Sequence, residues 1–321
     1  MLPQASAEHY ADQLRTIALT LAEVHRAWGT RPPQSFDGWF DSNIELLISM
    51  IEMAQKRAVA DADRYVGDVL DELGSPVDPD VHIDPTPLIG VASDGRGLDG
   101  LLYGTVITAK HQVEQEASAT AAWAVAGEQA LSMVQTQLAD TGRAAVGLGI
   151  TSRRNVGYVR MVSQPACSRC VVLAGRFYRK AGFARHPNCK CRHIPAREDR
   201  AGDLTTDPKR YFNSLTEEQQ NRTFTVAGAQ AIRDGADINQ TVNARRGMTV
   251  AGGLAQRRNV YGRQLLTTTE GVTRRGFAGR RIRSRGRDPR TTPRLMPEAI
   301  YEIAEDRDDV LRLLRLNGFI L

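Results

Sequence analysis

The chain centres on Cys167-Ser168-Arg169-Cys170, followed after fifteen residues by His186-Pro187-Asn188-Cys189-Lys190-Cys191-Arg192-His193. All four cysteines of the 321 residues, and two of the six histidines, fall within this stretch. A Cys-x-x-Cys knuckle facing a His-x-x-Cys-x-Cys element has the spacing of a tetrahedral zinc site. An ion held by both elements stabilises a hairpin that is too small to bury its own core. The pattern therefore predicts a structural zinc site.

The spacing leaves the choice of the four zinc ligands open. The candidate ligands are Cys167, Cys170, His186, Cys189 and Cys191. The first three are the firmest choices, and the last two compete for the fourth place. Residues two apart on a strand share a face, so both of the latter can reach an ion and four cysteines without the histidine also make a complete site. His193 is the weakest candidate and is expected to be a surface histidine.

Three other interpretations of the cysteines compete with a structural metal. A disulfide requires an oxidising compartment, and the chain shows no N-terminal charged and apolar signal segment. Unmetallated thiols packed as small apolar groups are a second alternative. A catalytic zinc is the third, but such sites keep a water ligand and a nearby carboxylate base. No acidic residue lies between Cys167 and Cys191, and Glu198 and Asp199 come only after the cluster, which favours a closed, structural site.

The window CSRCVVLAGRFYRKAGFARHPNCKCRHIP resembles the MuF-like (phage Mu F) minor capsid and head-morphogenesis proteins of tailed bacteriophages. The shared features are the Cys-x-x-Cys, a Leu-x-Gly step at Leu173-Ala174-Gly175, an aromatic at Phe177 or Tyr178, and the His-Pro-Asn-Cys-x-Cys element. Lys190 stands where such proteins usually carry arginine. The segments 158–162 and 234–247 resemble the versions found in actinobacterial phages.

This resemblance implies a minor capsid protein that acts in head morphogenesis. Its expected location is the virion, in the capsid interior or at the portal vertex, with the host cytoplasm as the place of assembly. Its expected partners are the phage portal protein, the major capsid protein or both. Some relatives are fused to a capsid maturation protease, but the residues before the cysteine window show no recognisable nucleophile context, so that activity is not carried over.

The charge is divided unevenly along the chain. Residues 1–150 hold 9 Lys and Arg against 21 Asp and Glu, a balance of −12, and residues 151–321 hold 33 against 16, a balance of +17. Such polarity suggests two different partners, one of them nucleic acid. The alternatives are that each half only solvates itself, or that the two halves attract one another.

A second notable stretch, residues 274–290, is rich in arginine and glycine and has no lysine. Its arginines are Arg274, Arg275, Arg280, Arg281, Arg283, Arg285, Arg287 and Arg290. Guanidinium groups bind phosphate in a bidentate manner, so packaged DNA is a candidate partner, and an acidic protein groove or a solvated linker are the alternatives. Phe277 is the only aromatic, which gives base stacking little support. Alternation from Arg281 to Arg287 predicts one cationic row if the backbone is extended.

Apolar periodicity predicts a mainly α-helical bundle with a small zinc-pinned β-hairpin module (α+β) and an extended basic C-terminal region. The predicted segments are an N-terminal helical hairpin (1–75), a Pro/Asp-rich linker (76–98), a MuF-like core (99–200) with the zinc module at 165–195, and a basic C-terminal region (201–321). The predicted linker is an extended, solvated connection that wraps a neighbour or stays a surface loop.

Local signals predict where the individual elements begin and end. One helix is expected over 5–29 and a longer one over 43–73, and glycines 142, 147 and 149 are expected to break a third helical region. Residues 152–162 read as a short helix or strand. Ser214 and Glu217 form a predicted capping box, and residues 243–247 a turn with two exposed cations. The apolar C-terminal residues 319–321 fold back on their own core or anchor in a partner.

Enzyme signatures are missing from the sequence. It has no Gly-x-x-x-x-Gly-Lys-Ser/Thr loop, no Gly-x-Ser-x-Gly elbow and no His-Glu-x-x-His pair, so neither catalysis nor a small-molecule substrate is expected. No apolar run approaches the roughly eighteen residues that span a bilayer, so no membrane partner is expected. The rival functions are a zinc-ribbon nucleic-acid-binding regulator and a zinc-dependent nuclease or other enzyme.

Overall fold

A computed structural model describes residues 3–161, 166–179, 189, 191–204, 207–247, 257–260, 262–289 and 292–320. The chain forms two compact units, Met1–Ser163 with Gly175–Thr205 and Gln164–Ala174 with Thr206–Leu321. Most of the described residues are helical, and the strands form small antiparallel sheets. The expected fold class, mainly α with a small β module, is confirmed. The division into four segments stays a prediction.

The first unit is a helical bundle organised around its longest helix. Its helices are α1 (Gln4–Trp28), α2 (Phe36–Ala60), α3 (Ala62–Glu72), α4 (Leu98–Glu114) and α5 (Ala119–Thr151). Helix α5 contacts each of the other four, which makes it the central element of the bundle. Trp123 of α5 is 1% exposed and stacks on Trp28 of α1 with ring centroids 4.3 Å apart. Such aromatic pairs bury a large apolar area at the helix contact.

The predicted helix over residues 43–73 is two helices with an earlier start. Ser35 caps α2, since its side chain accepts a hydrogen bond from the backbone N–H of Gly38 at 3.1 Å. The helical run breaks at Asp61, whose ψ is 1°. The break was missed because the apolar periodicity continues past Asp61. The start was missed because an N-cap depends on one side chain, here that of Ser35.

The prediction that glycines 142, 147 and 149 break the helix is wrong, because α5 continues through all three. A Cβ atom at Gly142 would lie 2.6 Å from Nε2 of Gln13, and one at Gly149 would lie 3.1 Å from a methyl carbon of Val66. These glycines allow α1 and α3 to approach α5 closely. Burial of the helix contacts outweighs the cost of about 1 kcal/mol for a glycine inside a helix.

Most residues of the predicted linker are exposed, and some of its backbone groups bond to side chains of the helices in its own unit. The side-chain amide of Gln55 donates to the carbonyl of Val91 at 3.1 Å, and its oxygen accepts from the N–H of Gly90 at 2.8 Å. Ser93 donates its N–H to the side-chain oxygen of Gln137 at 2.7 Å. Two buried glutamines therefore satisfy backbone groups beside the β-bridge between Val91 and Gly97.

A three-stranded antiparallel sheet completes the first unit. Its strands are β1 (Val156–Met161), β2 (Phe177–Tyr178) and β3 (Arg192–Arg197), in the order β2-β1-β3. All six residues of β1 are buried, and Val159 is paired with Ile194 of β3. The segment predicted as a helix or strand is thus the central strand, and β2 and β3, which follow the Cys-x-x-Cys and Cys-x-Cys elements, both pair with it rather than with each other.

The second unit contains two clusters of apolar side chains. The first lies among α6 (Ser168–Leu173), α7 (Pro208–Asn213), α8 (Glu217–Phe224), α9 (Val226–Arg233) and α10 (Ile238–Ala244). The capping box predicted at Ser214 is instead formed by Thr216 and Gln219, which exchange hydrogen bonds at 3.3 and 3.0 Å. Ser214 is instead the C-cap of α7, and α8 begins only at Glu217.

The second cluster contains the C-terminal elements. These are β4 (Arg257–Val260), β5 (Arg263–Thr268), α11 (Phe277–Arg283), β6 (Arg294–Leu295), α12 (Pro297–Ile303) and α13 (Arg307–Leu316), with the strands in the order β4-β5-β6. Phe319 is fully buried in this cluster, so the chain end up to Ile320 folds back on its own unit. Leu321 lies outside the described residues. Among the described residues, no helix has the length and apolar character to cross a membrane.

Candidate metal centre

The Cys-x-x-Cys knuckle lies at the start of α6. Cys167 is the N-cap residue, and its sulfur accepts the backbone N–H of Cys170 at 3.4 Å. Cys170 is 3% exposed, whereas Cys167 is partly exposed. An N–H that points at a sulfur compensates negative charge on it, as at a helix N-terminus. The local structure of the knuckle therefore favours a thiolate.

The Cys-x-Cys arm leads into β3 and is held by two arginines of the first unit. Arg143 of α5 donates from Nη1 to the carbonyl oxygens of Cys189 and Cys191, both at 3.0 Å, and from Nη2 to a carboxylate oxygen of Asp140 at 2.6 Å. Arg160 of β1 is 1% exposed and donates to the sulfur of Cys191 at 3.2 Å. The first arginine positions the backbone of the arm, and the second places positive charge beside a sulfur atom.

Three sulfur atoms come together. Those of Cys170, Cys189 and Cys191 lie within 4.8 Å of one another, and all three residues are buried. A tetrahedral zinc ion with bonds of about 2.3 Å holds its sulfur ligands about 3.8 Å apart, so this donor set fits zinc. None of the four cysteines, each of which lies among the described residues, forms a disulfide. The cluster is able to hold a metal ion.

Not all of the five predicted ligands are found together. The structure brings together Cys170, Cys189 and Cys191, and Cys167 begins the same helix as Cys170. His186 lies outside the described residues. The expectation that His193 is a surface histidine is wrong: it is 7% exposed on β3, with its ring 4.1 Å from that of Tyr158. It is paired with Arg160 of the buried strand β1, which places it inside the sheet and not at the surface.

A second set of buried polar groups lies along the other side of β3. Tyr65 donates its hydroxyl to the carbonyl of His193 at 2.8 Å and stacks on His9, with centroids 4.0 Å apart. Burial lowers the pKa of His9 to about 4, against the opposing charge of Asp61. Burial likewise raises the pKa of Tyr65 to about 12. Both groups are therefore neutral near pH 7, and they anchor β3 by packing and hydrogen bonding.

The arginine-rich stretch is a compact loop followed by a helix, not the extended strand that the alternation predicted. Ala278 and Ile282 of α11 are buried four residues apart, so helical periodicity decides the backbone and scatters the alternating arginines around it. The exposed members are Arg274, Arg275, Arg280, Arg285 and Arg287. The partly buried members are Arg281 and Arg283, and Arg290 lies outside the described residues.

The loop before α11 is closed by backbone hydrogen bonds. The N–H of Gly279 donates to the carbonyl of Gly271 at 2.8 Å, and the N–H of Gly276 donates to that of Thr273 at 3.0 Å. Arg283 also donates to the carbonyl of Arg274. Because a Cβ atom at Gly276 would lie 2.3 Å from the Gly271 carbonyl oxygen, only glycine fits there. The loop therefore presents Arg274 and Arg275 at a defined place on the surface.

Two other arginines of the second unit, Arg245 and Arg294, are less exposed than their polar side chains would suggest. The pair predicted as exposed cations is only half exposed: Arg246 is exposed, but Arg245 forms an ion pair with Glu298. Arg294, which the sequence did not single out, is 1% exposed and donates to the carbonyls of Glu270 and Asn317, each at 2.8 Å. Burial lowers the pKa of Arg294 to about 10, so it remains a cation near neutral pH.

Sequence reasoning missed the residues that hold the Cys-x-Cys arm. Asp140, Arg143 and Arg160 precede Cys189 by 49, 46 and 29 positions, so no spacing rule connects them to it. One signal was available: a charged pair three residues apart, Asp140 and Arg143, interrupts an otherwise small and apolar stretch of α5. Charged residues at such positions are almost never buried unless they are paired.

The molecule is thus a mainly helical protein with a small antiparallel sheet and a buried cluster of thiols. A family model described as VG15 protein matches residues 104–218, roughly a third of the chain. This match indicates a family of phage proteins. The matched residues contain all four cysteines together with Asp140, Arg143 and Arg160. No curated protein and no solved structure matches the chain.

Proposed function

We propose that this protein is a MuF-like minor capsid protein that acts in phage head morphogenesis, in the capsid interior near the portal. The observation that carries the proposal is the position of the phage-family match. It spans the whole thiol cluster and the arginines that hold the Cys-x-Cys arm. The cysteine window is also the segment whose motifs resemble MuF-like proteins.

In this proposal the metal is zinc and its role is structural. Cys170, Cys189 and Cys191 would hold the ion, and Cys167 or His186 would complete the set. Bound zinc would supply folding free energy, since ligands far apart in the sequence become fixed to one another. The three clustered sulfurs are at most 4% exposed, which leaves little access for the water that a catalytic zinc needs. We therefore propose no enzymatic activity.

The proposed partners follow from the division of charge. The acidic N-terminal half and the basic C-terminal half would meet different neighbours, the portal or major capsid protein in one case and packaged DNA in the other. The exposed arginines of residues 274–287 supply groups suited to phosphate oxygens. No membrane and no small-molecule partner is proposed.

The test is to quantify this chain by mass spectrometry in purified precursor heads and mature virions of the phage that encodes it. Portal and major capsid protein serve as internal references. A low copy number comparable with that of the portal protein is expected. Complete absence from both kinds of particle would contradict a structural role. It would favour the alternative, a zinc-ribbon nucleic-acid-binding protein, which should bind free duplex DNA with a steep salt dependence.

A further inference from the structure

The two carbonyl groups of the Cys-x-Cys arm converge on one atom. Nη1 of Arg143 lies 3.0 Å from both the Cys189 and the Cys191 oxygen. Arg143 is 8% exposed, and α5, from which it extends, is the central helix of its unit. The donor is therefore supported by a rigid element, and the arm is fixed at two points rather than one.

Asp140 fixes the guanidinium in turn. Its carboxylate accepts from Nη2 at 2.6 Å, one helical turn before Arg143, and its side chain is 10% exposed. A buried arginine with a carboxylate partner keeps one orientation, since the fork geometry of guanidinium and carboxylate restricts both groups. Asp140 thus orients the arginine, and the arginine orients the arm.

We propose that Asp140 and Arg143 form a positioning pair for the metal site. The pair holds Cys189 and Cys191 so that both sulfurs face the same ion before it binds. This inference rests on the zinc site proposed above and adds residues that are not ligands. Residues that orient metal ligands from outside the coordination shell typically change metal affinity 10- to 100-fold when they are replaced.

Preorganisation is the physical reason for the expected gain in affinity. Without Arg143 the arm would have two buried carbonyls to satisfy and more conformations to lose when zinc binds. Because the pair already restricts the conformations of the arm, less conformational entropy is lost when zinc binds. The effect should therefore appear in the zinc affinity itself and not only in the stability of the fold.

A matched control lies ten residues further along the chain. Arg153 follows α5, is 6% exposed and also has a carboxylate partner, with Nη1 2.6 Å from Asp63. Its other hydrogen bonds include those to the carbonyls of Gly149 at 2.7 Å and Val77 at 2.9 Å. Replacing it removes a comparable buried arginine while leaving the hydrogen bonds to the arm in place.

The experiment measures zinc affinity of the full-length protein by competition with a chromophoric chelator. Arg143→Met, Arg143→Lys and Arg153→Met are compared with the wild type, and Co²⁺ spectra report how many thiolates bind. Arg143→Met should bind zinc 10- to 100-fold more weakly, and Arg143→Lys should lie between, since an ammonium can still reach one carbonyl. Arg153→Met should bind as the wild type does.

Each outcome decides the inference. Equal zinc affinity of Arg143→Met and wild type would overturn the positioning role while leaving the zinc site intact. An equal loss in Arg153→Met would also overturn it, because the effect would then be general destabilisation. If Arg143→Met does not fold, Arg143→Lys and Asp140→Asn are read in the same way. A wild-type protein that binds no zinc would overturn the proposed site and the positioning pair together.

Discussion

Arginines around β1 and β3 differ from those of residues 274–287 in burial and in what they contact. Arg143 and Arg160 are at most 8% exposed and donate to named atoms of the Cys-x-Cys arm. Arg274 and Arg285 are exposed. The buried arginines hold a polypeptide segment in place, whereas the exposed ones offer charge to whatever approaches. A stretch of sequence rich in arginine therefore marks an exposed surface in this protein, whereas the buried arginines that lie outside it stabilise the fold.

The largest effect should come from the buried arginine of the basic half. Arg294→Met leaves the carbonyls of Glu270 and Asn317 without their donor and should lower the free energy of unfolding by about 3 kcal/mol. The matched control, Arg285→Met, alters an exposed side chain and should stay within about 0.5 kcal/mol of the wild type. Urea denaturation measures both free energies of unfolding. Similar values for the two variants would contradict the structural role assigned to the buried arginine.

The next effect concerns pH and the partly buried His9. Its pKa is about 4 in the folded protein and near the ordinary histidine value of 6.5 when unfolded, so the unfolded chain binds the proton more tightly. Stability is therefore complete above pH 6.5 and falls as pH drops from 6.5 to 4, by at most about 3 kcal/mol. His9→Phe keeps an aromatic ring against Tyr65 and should flatten this part of the urea-midpoint profile between pH 4 and 8. An unchanged slope would mean that another group titrates there.

A smaller effect is expected for the exposed arginines. Replacing Arg274, Arg275 and Arg280 together with glutamine should weaken binding to duplex DNA at least about tenfold, and should reduce the salt slope by about three. The control replaces Arg15, Arg64 and Arg96, which are also exposed, and changes the net charge equally. Fluorescence anisotropy over a salt series measures both. Equal losses would show that net charge alone governs binding.

The smallest effect separates two glycines of α5. Gly127→Ala puts a Cβ atom 2.9 Å from the buried indole ring of Trp28, which has no free space to move into, and should destabilise by about 1 kcal/mol. At Gly147 no atom outside the local helix lies within 4 Å of the added carbon, so Gly147→Ala should stabilise by about 0.5 kcal/mol through helix propensity. Thermal melts of the two variants should shift in opposite directions. Shifts of the same sign would contradict the close contact of α1 with α5.

Features that depend on a local sequence pattern could be predicted from the sequence. Helical periodicity predicted the bundle, and the cysteine spacing predicted a cluster of which Cys170, Cys189 and Cys191 now lie together. Prediction from the sequence failed where one contact outweighs a local preference, as when Gly142 fits against Gln13 instead of ending a helix. It also failed for Arg143, since only the folded chain brings α5 beside the Cys-x-Cys arm.

The alternation of arginines in residues 281–287 predicts the wrong backbone. A period of two predicts a cationic row on a strand, but the buried Ala278 and Ile282 impose the period of a helix. Apolar burial contributes more free energy than an arrangement of exposed charges, so the apolar period decides the backbone. The surface of the second unit therefore carries its arginines on a closed loop, a short helix and the turn after it.

The zinc content of the purified protein decides whether the thiol cluster holds a structural metal ion. The full-length protein is purified without added metal or chelator, and its zinc is determined by inductively coupled plasma mass spectrometry. Circular dichroism then follows the fold as a strong chelator is added. The account predicts one zinc ion per chain and loss of helical structure or a large fall in melting temperature when the ion is removed. A folded protein with no bound metal, indifferent to the chelator, would contradict it.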